Sequence, residues 1–187
     1  MSKYNELNNL EKIIDNMDEG LRRKYLKWIK LSNGYLQFEK NFKPEKIVKY
    51  NPGDVLTVNF GFNVGAEFGG RHYAIVLEDN NRSAGTVTVI PLSSCTSEEG
   101  VKKPSVYLGL IEELNYEETT ETHSYAIMNQ IRAISKMRIS SPTKPTEEKL
   151  NIGRNLLEKI YAVISDEFAG KLPDIAEPHK YTEKEES

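Results

Sequence analysis

The chain has 187 residues, a formal net charge of −3 and 38% hydrophobic residues, which is enough to bury one core with room for helical additions. No run of about 18 apolar residues occurs, so we expect no membrane span. Because the chain is slightly acidic, its bulk charge excludes general attraction to nucleic acid, and any phosphate contact must rest on a few well-placed cations.

The amino terminus, the cysteine and the histidines indicate the cellular compartment and whether a metal or cofactor is expected. Residues 1–7 are polar and lack the apolar core of a signal peptide, which predicts a cytoplasmic protein. The single cysteine, Cys95, has no internal disulfide partner and fits a reducing compartment. The histidines His72, His123 and His179 lie far apart in the sequence without metal-ligand spacing, so we expect no metal and no other cofactor.

The first fifty residues read as a basic helical extension. Apolar residues recur every three or four positions from residue 7 to residue 21, which predicts helix over about residues 5–41, with a break at Ser32-Asn33-Gly34. This part holds 11 basic and 7 acidic residues, whereas the remainder is acidic. Two interpretations stay open: a basic clamp on RNA or docking helix for a partner, and a solvated helix packed on the core.

The middle of the chain predicts a small antiparallel barrel. Short β-type runs, separated by turns, occur at about residues 55–60, 73–78, 86–92, 105–110 and 124–131. Several short strands in quick succession are typical of such a barrel, whose closure hides the strand edges. The first two strands flank a glycine-rich loop with Gly61, Gly65, Gly69 and Gly70, which suits a surface that folds over an extended ligand.

The carboxyl-terminal part predicts one helix and a tail. Leu150, Leu157, Ile160, Ile164 and Phe168 form one face of a helix over about residues 147–168. The last residues hold two prolines and an acidic cluster, which predicts disorder. We therefore divide the chain into an extension (1–48), a barrel with its helix (49–170) and a disordered acidic tail (171–187).

Four sequence segments, in this order and spacing, resemble the MazF/PemK (Kid) toxin family. They are Gly53-Asp54-Val55, the glycine loop 65–71 ending in Arg71, the Val89-Ile90-Pro91-Leu92-Ser93-Ser94 strand end, and the Asn129-Gln130-Ile131-Arg132 segment with its continuation to Arg138. The resemblance covers roughly residues 53–168. Residues 1–45 have no counterpart in the short members of the family.

The resemblance implies an SH3-like barrel of the CcdB/MazF type that forms a homodimer. It also implies a toxin of a type II toxin–antitoxin system, which cleaves single-stranded RNA such as mRNA at short sequences without a metal and leaves 2′,3′-cyclic phosphate and 5′-hydroxyl ends. A cognate antitoxin would hold it inactive. The reported catalytic arginine and threonine of the family fall on Arg71 and Ser93, where serine keeps the hydroxyl group and lacks the methyl group.

The chemical properties of each side chain limit the role that it can have in RNA cleavage. A guanidinium stabilises charge on a phosphate but is a poor general base, because its pKa is above about 12. Ser93 then donates a hydrogen bond to a phosphate oxygen, with a turn serine as the alternative. Glu67 is the candidate base or partner of Arg71. Because strand residues alternate between faces, we expect His72 to point away from the face of Arg71.

The remaining candidates are residues that could contact RNA. Aromatic rings flanked by loop glycines can stack bases, and residues two apart on the last predicted strand can line a groove or brace the loop. The predicted RNA-binding residues are Phe62, Phe68, Gly69, Gly70, Ser94, Gln130 and Arg132.

Two other functions fit the same barrel. Gyrase-poisoning CcdB toxins resemble it, but they use an aromatic residue near the carboxyl terminus, where this chain reads Lys184-Glu185-Glu186-Ser187. A barrel that has lost catalysis and still binds an antitoxin is the third reading, because Ser93 and Asn129 differ from the common family residues.

Overall fold

The computed structural model describes residues 3–101, 104–115, 122–144 and 146–169. Within these ranges the chain forms three helices and seven strands. The helices are α1 (Lys3–Asp15), α2 (Glu19–Phe38) and α3 (Gly153–Ala169). The strands are β1 (Val55–Gly61), β2 (Gly70–Val76), β3 (Thr86–Cys95), β4 (Ser105–Leu110), β5 (His123–Ile127), β6 (Arg132–Ser135) and β7 (Ile139–Ser141).

The strands form one antiparallel sheet in the order β4-β5-β3-β2-β1-β7, and β6 pairs with β3. Strand β3 is long enough to serve both parts of the sheet: Thr86–Val89 pair with β6, and Leu92–Cys95 pair with β5. A single 3-10 turn at Lys136–Arg138 then leads from β6 to β7, which pairs with β1. The segment from β6 to β7 thus connects a strand paired with β3 to a strand paired with β1. The predicted mainly antiparallel β fold with amino- and carboxyl-terminal helices is confirmed.

Two apolar clusters share the strands of this sheet. One cluster lies inside the barrel and includes Leu56 and Val58 of β1 together with Val76 of β2 and Val87 of β3. The other lies between the outer face of the sheet and α3, whose Ile160 is fully buried there. Because successive strand residues point to opposite faces, β2 and β3 are buried on both sides at their centres.

Several predicted boundaries are wrong. The second strand covers Gly70–Val76 and not residues 73–78, and the third continues to Cys95 and does not end at residue 92. The break in the amino-terminal helix falls at residues 16–18, not at residues 32–34, which lie within α2. Asp18 caps α2 by accepting from the Leu21 backbone nitrogen at 2.9 Å. Arg22 donates to the backbone oxygens of Ile14 (3.0 Å), Asp15 (2.7 Å) and Met17 (3.1 Å), so the end of α1 is closed by a guanidinium.

The predicted strand over residues 124–131 is two strands. Met128–Gln130 form a 3-10 turn between β5 and β6, because the Met128 side chain is buried in the outer cluster. Helix α3 begins six residues later than predicted, since the preceding segment pairs with the start of β1: Val55 donates to the Leu150 carbonyl at 2.8 Å, and Ile152 donates to that of Gly53 at 3.0 Å. The predicted tail (171–187) lies outside the described residues.

No helix in the described ranges is both long enough and apolar enough to cross a bilayer.

Asp54 anchors the segment before α3 to the barrel. Its carboxylate is 3% exposed and accepts hydrogen bonds from the side chains of Lys149 (2.8 Å) and Asn151 (2.9 Å) and from the Asn51 backbone (2.9 Å). The Lys149 partner is itself mostly buried. A carboxylate with this many donors holds the segment before α3 against the start of β1.

We expect Asp54→Ala to lower the free energy of unfolding by about 1–3 kcal/mol, because it removes the buried acceptor of the half-buried Lys149 ammonium and of two amide donors. Urea denaturation measures this. Asp79→Ala is the matched control, since Asp79 pairs with Lys49 at a similar 2.9 Å but is exposed, and exposed pairs contribute less than about 1 kcal/mol. Equal losses in the two variants would contradict the anchoring role.

Candidate active site

Arg71 and Ser93 line one cleft of about 340 Å³ between the ends of β2, β3 and β5. Arg71 is exposed near the start of β2, and Ser93 is half-buried near the end of β3. Among the described residues, no carboxylate forms an ion pair with Arg71. The sequence-predicted guanidinium and hydroxyl group therefore meet at a single concave surface, with the cation available to an anionic ligand.

Further hydroxyl groups and the Tyr73 ring also line the cleft. Ser94 also lines it, and so do Thr57, Tyr73 and Ser124. Ser94 pairs directly with Ser124 in the β3–β5 register, so these two share a sheet face, whereas Ser93 pairs with Tyr125 on the opposite face. Two neighbouring serines thus approach the cleft from different faces of the same strand.

Tyr73 is an aromatic residue of the cleft that is not among the RNA-binding residues predicted from the sequence. It lies two residues after Arg71 on β2 and opposite Thr57 on β1, and its side chain is 41% exposed. The period of a strand puts residues 71 and 73 on one face. This alternation is visible in the sequence and could have identified Tyr73 as a candidate. In the structure, Tyr73 is the exposed aromatic ring nearest in sequence to Arg71.

The β1–β2 loop, residues 62–69, is held at its second end through the Phe68 backbone. The Phe68 nitrogen donates to Gln130 Oε1 at 3.0 Å, and Arg132 Nη2 donates to the Phe68 oxygen at 3.1 Å. Arg132 also donates to Gln130 Oε1 at 2.7 Å. Gln130 and Arg132, which sequence patterning assigned to RNA or to bracing, form bracing contacts in this structure.

The loop also closes on itself. Asn63 Nδ2 donates to the oxygens of Phe60 (3.3 Å) and Phe68 (2.8 Å). A Cβ atom at Gly69 would lie 2.7 Å from the Gly61 oxygen, so only glycine permits this approach of the two backbones. The tip between these contacts, residues 64–67, is exposed.

The structure does not bring Glu67 to Arg71. Glu67 lies on the exposed loop tip and is not among the residues that line the cleft. The Phe62 ring makes an edge contact with Tyr25 of α2, with centroids 5.0 Å apart, and the Phe68 ring packs on Phe60 at 5.5 Å. In this conformation both predicted stacking rings are engaged by other aromatic side chains.

His72 lines the cleft but packs toward the loop. Its ring lies 4.4 Å from that of Phe68, and it makes a hydrogen bond with the Gly69 backbone. Burial lowers the pKa of His72 below its ordinary 6.5, because desolvation disfavours the charged ring, and the Gly69 contact opposes this only in part. The imidazole is therefore neutral at pH 7.

Within the described residues, no three side chains of His, Cys, Asp or Glu cluster as a metal-binding group.

We expect the NMR titration midpoint of His72 to lie below 6.5. Since the unfolded chain then binds more protons than the folded one, protonation favours unfolding, and stability falls as the pH decreases from about 6.5. His72→Phe keeps the ring packing and should reduce this pH dependence. A midpoint at or above 6.5, or an unchanged dependence in the variant, would contradict the burial of the ring.

A family model matches the part of the chain that forms this cleft. The family model described as the PemK-like, MazF-like toxin of type II toxin-antitoxin system matches residues 51–166, which is more than half of the chain and includes every residue of the cleft. A search of curated proteins gave no significant match.

A solved structure is also similar. The crystal structure of MazF (Form-I) from Deinococcus radiodurans aligns with 16% sequence identity and a TM-score of 0.43, over 65% of this chain and 98% of that chain. At these values the likeness carries no argument of its own. The family match rests on the sequence model alone, and by that match the chain belongs to the PemK-like, MazF-like toxins of type II toxin-antitoxin systems.

Proposed function

We propose that the chain is a metal-independent endoribonuclease that cleaves single-stranded RNA, including mRNA, as the toxin of its toxin–antitoxin pair. The observation that carries the proposal is the shared cleft of Arg71 and Ser93. In the reaction, the 2′-hydroxyl gives its proton to a base and its oxygen attacks the adjacent phosphorus. The bond from phosphorus to the 5′-oxygen breaks, and that oxygen takes up a proton from a general acid or from water. The products are a 2′,3′-cyclic phosphate and a 5′-hydroxyl end.

Arg71 stabilises the charge that develops on the non-bridging oxygens. Its guanidinium is exposed at the cleft and has no carboxylate partner among the described side chains. A fork of donors that is already free costs no rearrangement when the phosphorane-like state forms. Either Ser93 or Ser94 donates a second hydrogen bond to the same group, and the family motif favours Ser93.

Two groups are candidates to accept the proton of the 2′-hydroxyl. Glu67 is the carboxylate of the loop, and it reaches the cleft only if the exposed tip 64–67 moves. His72 lines the cleft and is neutral at pH 7 because of its lowered pKa. Glu67→Gln separates them: loss of the rate identifies Glu67, and an unchanged rate identifies His72.

The RNA bases contact the rim of the cleft. Tyr73 supplies the exposed ring for stacking, whereas Phe62 and Phe68 become available only when the loop opens. Gly69 and Gly70 let the RNA backbone pass close to the loop, and Gln130 and Arg132 act through the Phe68 backbone that they hold.

A cognate antitoxin is the protein partner, and the toxin acts as a homodimer. Both features follow from family membership. The proposal keeps the division into an extension (1–48), a barrel with its helix (49–170) and a tail (171–187), since the family model itself begins at residue 51.

We expect purified protein to cut RNA in excess EDTA and Arg71→Ala to lower the rate by at least about a hundredfold, because one preorganised charge donor is lost. Gel analysis of a long transcript, with sequencing of the cut ends, measures both the rate and the 5′-hydroxyl product. Arg154→Ala is the control, since Arg154 lies on α3 and pairs with Glu158 away from the cleft.

RNA that stays intact after incubation with the wild-type protein would contradict the nuclease proposal. Stalled gyrase would then indicate a CcdB-like poison, and binding of the antitoxin alone would indicate a barrel without catalysis.

We expect Ser93→Ala to lower the cleavage rate more than Ser94→Ala, with Ser93→Thr retaining activity because the hydroxyl group is kept. The loss should be about tenfold to a thousandfold, as for a single donor to a developing oxyanion. Rates under single-turnover conditions compare the three variants. A larger loss in Ser94→Ala would move the hydroxyl role to the sheet face that Ser94 shares with Ser124.

We expect Tyr73→Ala to weaken RNA binding by about 1–3 kcal/mol, because one stacking platform is removed. Tyr73→Phe keeps the ring and should bind normally. Binding is measured by fluorescence anisotropy with a 2′-O-methyl oligonucleotide, which cannot be cleaved. Equal weakening in both variants would show that the hydroxyl group, and not the ring, carries the contact.

A further inference from the structure

Helix α2, which lies outside the family-matched region, is attached to the barrel by a specific contact. Trp28 packs on the backbone of Gly61 at the end of β1. Gly61 has φ +97°, and a Cβ atom there would lie 2.8 Å from the Trp28 ring. The Arg138 guanidinium covers the same ring at 5.2 Å from its centroid, and Tyr35 meets its edge at 6.2 Å.

Further contacts place α2 beside the loop that leads to Arg71. Tyr25 packs edge-on against Phe62, the first residue of the loop. Tyr35 makes a side-chain hydrogen bond with Asn59, which pairs with Arg71 across the β1–β2 register. The helix is therefore joined to the strand next to the one that carries the catalytic guanidinium.

The exposed side of α2 carries a row of cations. Arg23, Lys27 and Lys30 follow one another at spacings of four and three, which puts them on one face, and Lys24 lies next to them. All four are exposed. Glu19 is the only acidic residue of the helix. None of the four cations forms an ion pair with any carboxylate in the described part of the chain.

We propose that the basic face of α2, formed by Arg23, Lys24, Lys27 and Lys30, binds the phosphodiester backbone of single-stranded RNA outside the cleft. This inference rests on the proposed function for the identity of the polyanion. A row of flexible cations suits a repeating phosphate charge, because such contacts need position but no shape. The Trp28–Gly61 contact, called the dock below, fixes α2 beside the loop. The cation row lies on the side of the helix away from the dock, so we expect RNA that leaves the cleft to pass around α2 to reach it.

The test compares two triple variants of equal charge. Arg23→Gln/Lys27→Gln/Lys30→Gln removes the proposed contacts, whereas Lys43→Gln/Lys46→Gln/Lys144→Gln removes three exposed cations elsewhere. Binding of a labelled 2′-O-methyl oligonucleotide is measured over a range of salt concentrations. Each phosphate contact on a single strand contributes about 0.7 to the slope of log affinity against log salt, so the α2 variant should lose about 2.

The affinity of the α2 variant should also fall by at least about tenfold at physiological salt, and the control variant should change much less. Equal slopes in the two variants overturn the proposal. So does an α2 variant that binds the oligonucleotide normally but no longer binds the antitoxin, since the face would then belong to a protein partner.

A second pair of variants tests the dock itself. Gly61→Ala inserts a methyl group into the Trp28 contact, and Gly109→Ala in β4 is its control, because Gly109 also has positive φ (+79°) but open space around its Cβ position. Trp28 is the only tryptophan, so its fluorescence reports undocking directly. We expect Gly61→Ala, and not Gly109→Ala, to shift the emission to longer wavelength and to weaken oligonucleotide binding.

An undocked Trp28 with unchanged binding would overturn the role of the dock. The measured quantity is binding to an uncleavable strand, so the two proposals can fail separately. If the protein binds RNA through α2 but cuts none, the nuclease proposal fails and the proposed binding face stands. If the protein cuts RNA and α2 contributes nothing to binding, the nuclease proposal stands and the proposed binding face is overturned.

Discussion

The burial of β2 and β3 on both faces is the constraint on which the site depends. Ala74, Ile75 and Val76 are each fully buried, and they alternate between the barrel interior and the cluster under α3. A one-residue slip of either strand would exchange two apolar faces with different neighbours. The register of β2 and β3 is therefore fixed, and with it the positions where Arg71 and Ser93 leave the core.

The loop before Arg71 is positioned by backbone contacts more than by side-chain stacking. Gln130 and Arg132 hold Phe68 at one end, and Asn63 ties the oxygens of Phe60 and Phe68 together. These partners leave only the tip 64–67 exposed. The arginine that follows the loop is thus set by a closed ring of hydrogen bonds whose members come from β1, the loop and the turn before β6.

Sequence reasoning predicted the fold class, the meeting of Arg71 with Ser93 and the two terminal helical regions, because alternation, turns and ordered family motifs are local signals. It missed features that depend on tertiary contacts. The helix runs through Ser32-Asn33-Gly34 because Trp28 and Tyr35 are docked on either side of that segment. Strand β6 separates from β5 because Met128 is buried at the turn. Tyr73 was hidden in an apolar run, where its exposure could not be read.

The hydrogen bonds from Arg22 to the end of α1 fix the joint between α1 and α2. A guanidinium that satisfies three carbonyls makes the joint between α1 and α2 stiff, whereas a lysine offers a single charged centre on a flexible stem. Since α2 is itself fastened to β1 through Trp28, these contacts couple α1 to the barrel through α2. A spectroscopic label on α1 would accordingly report movements of the extension relative to the barrel.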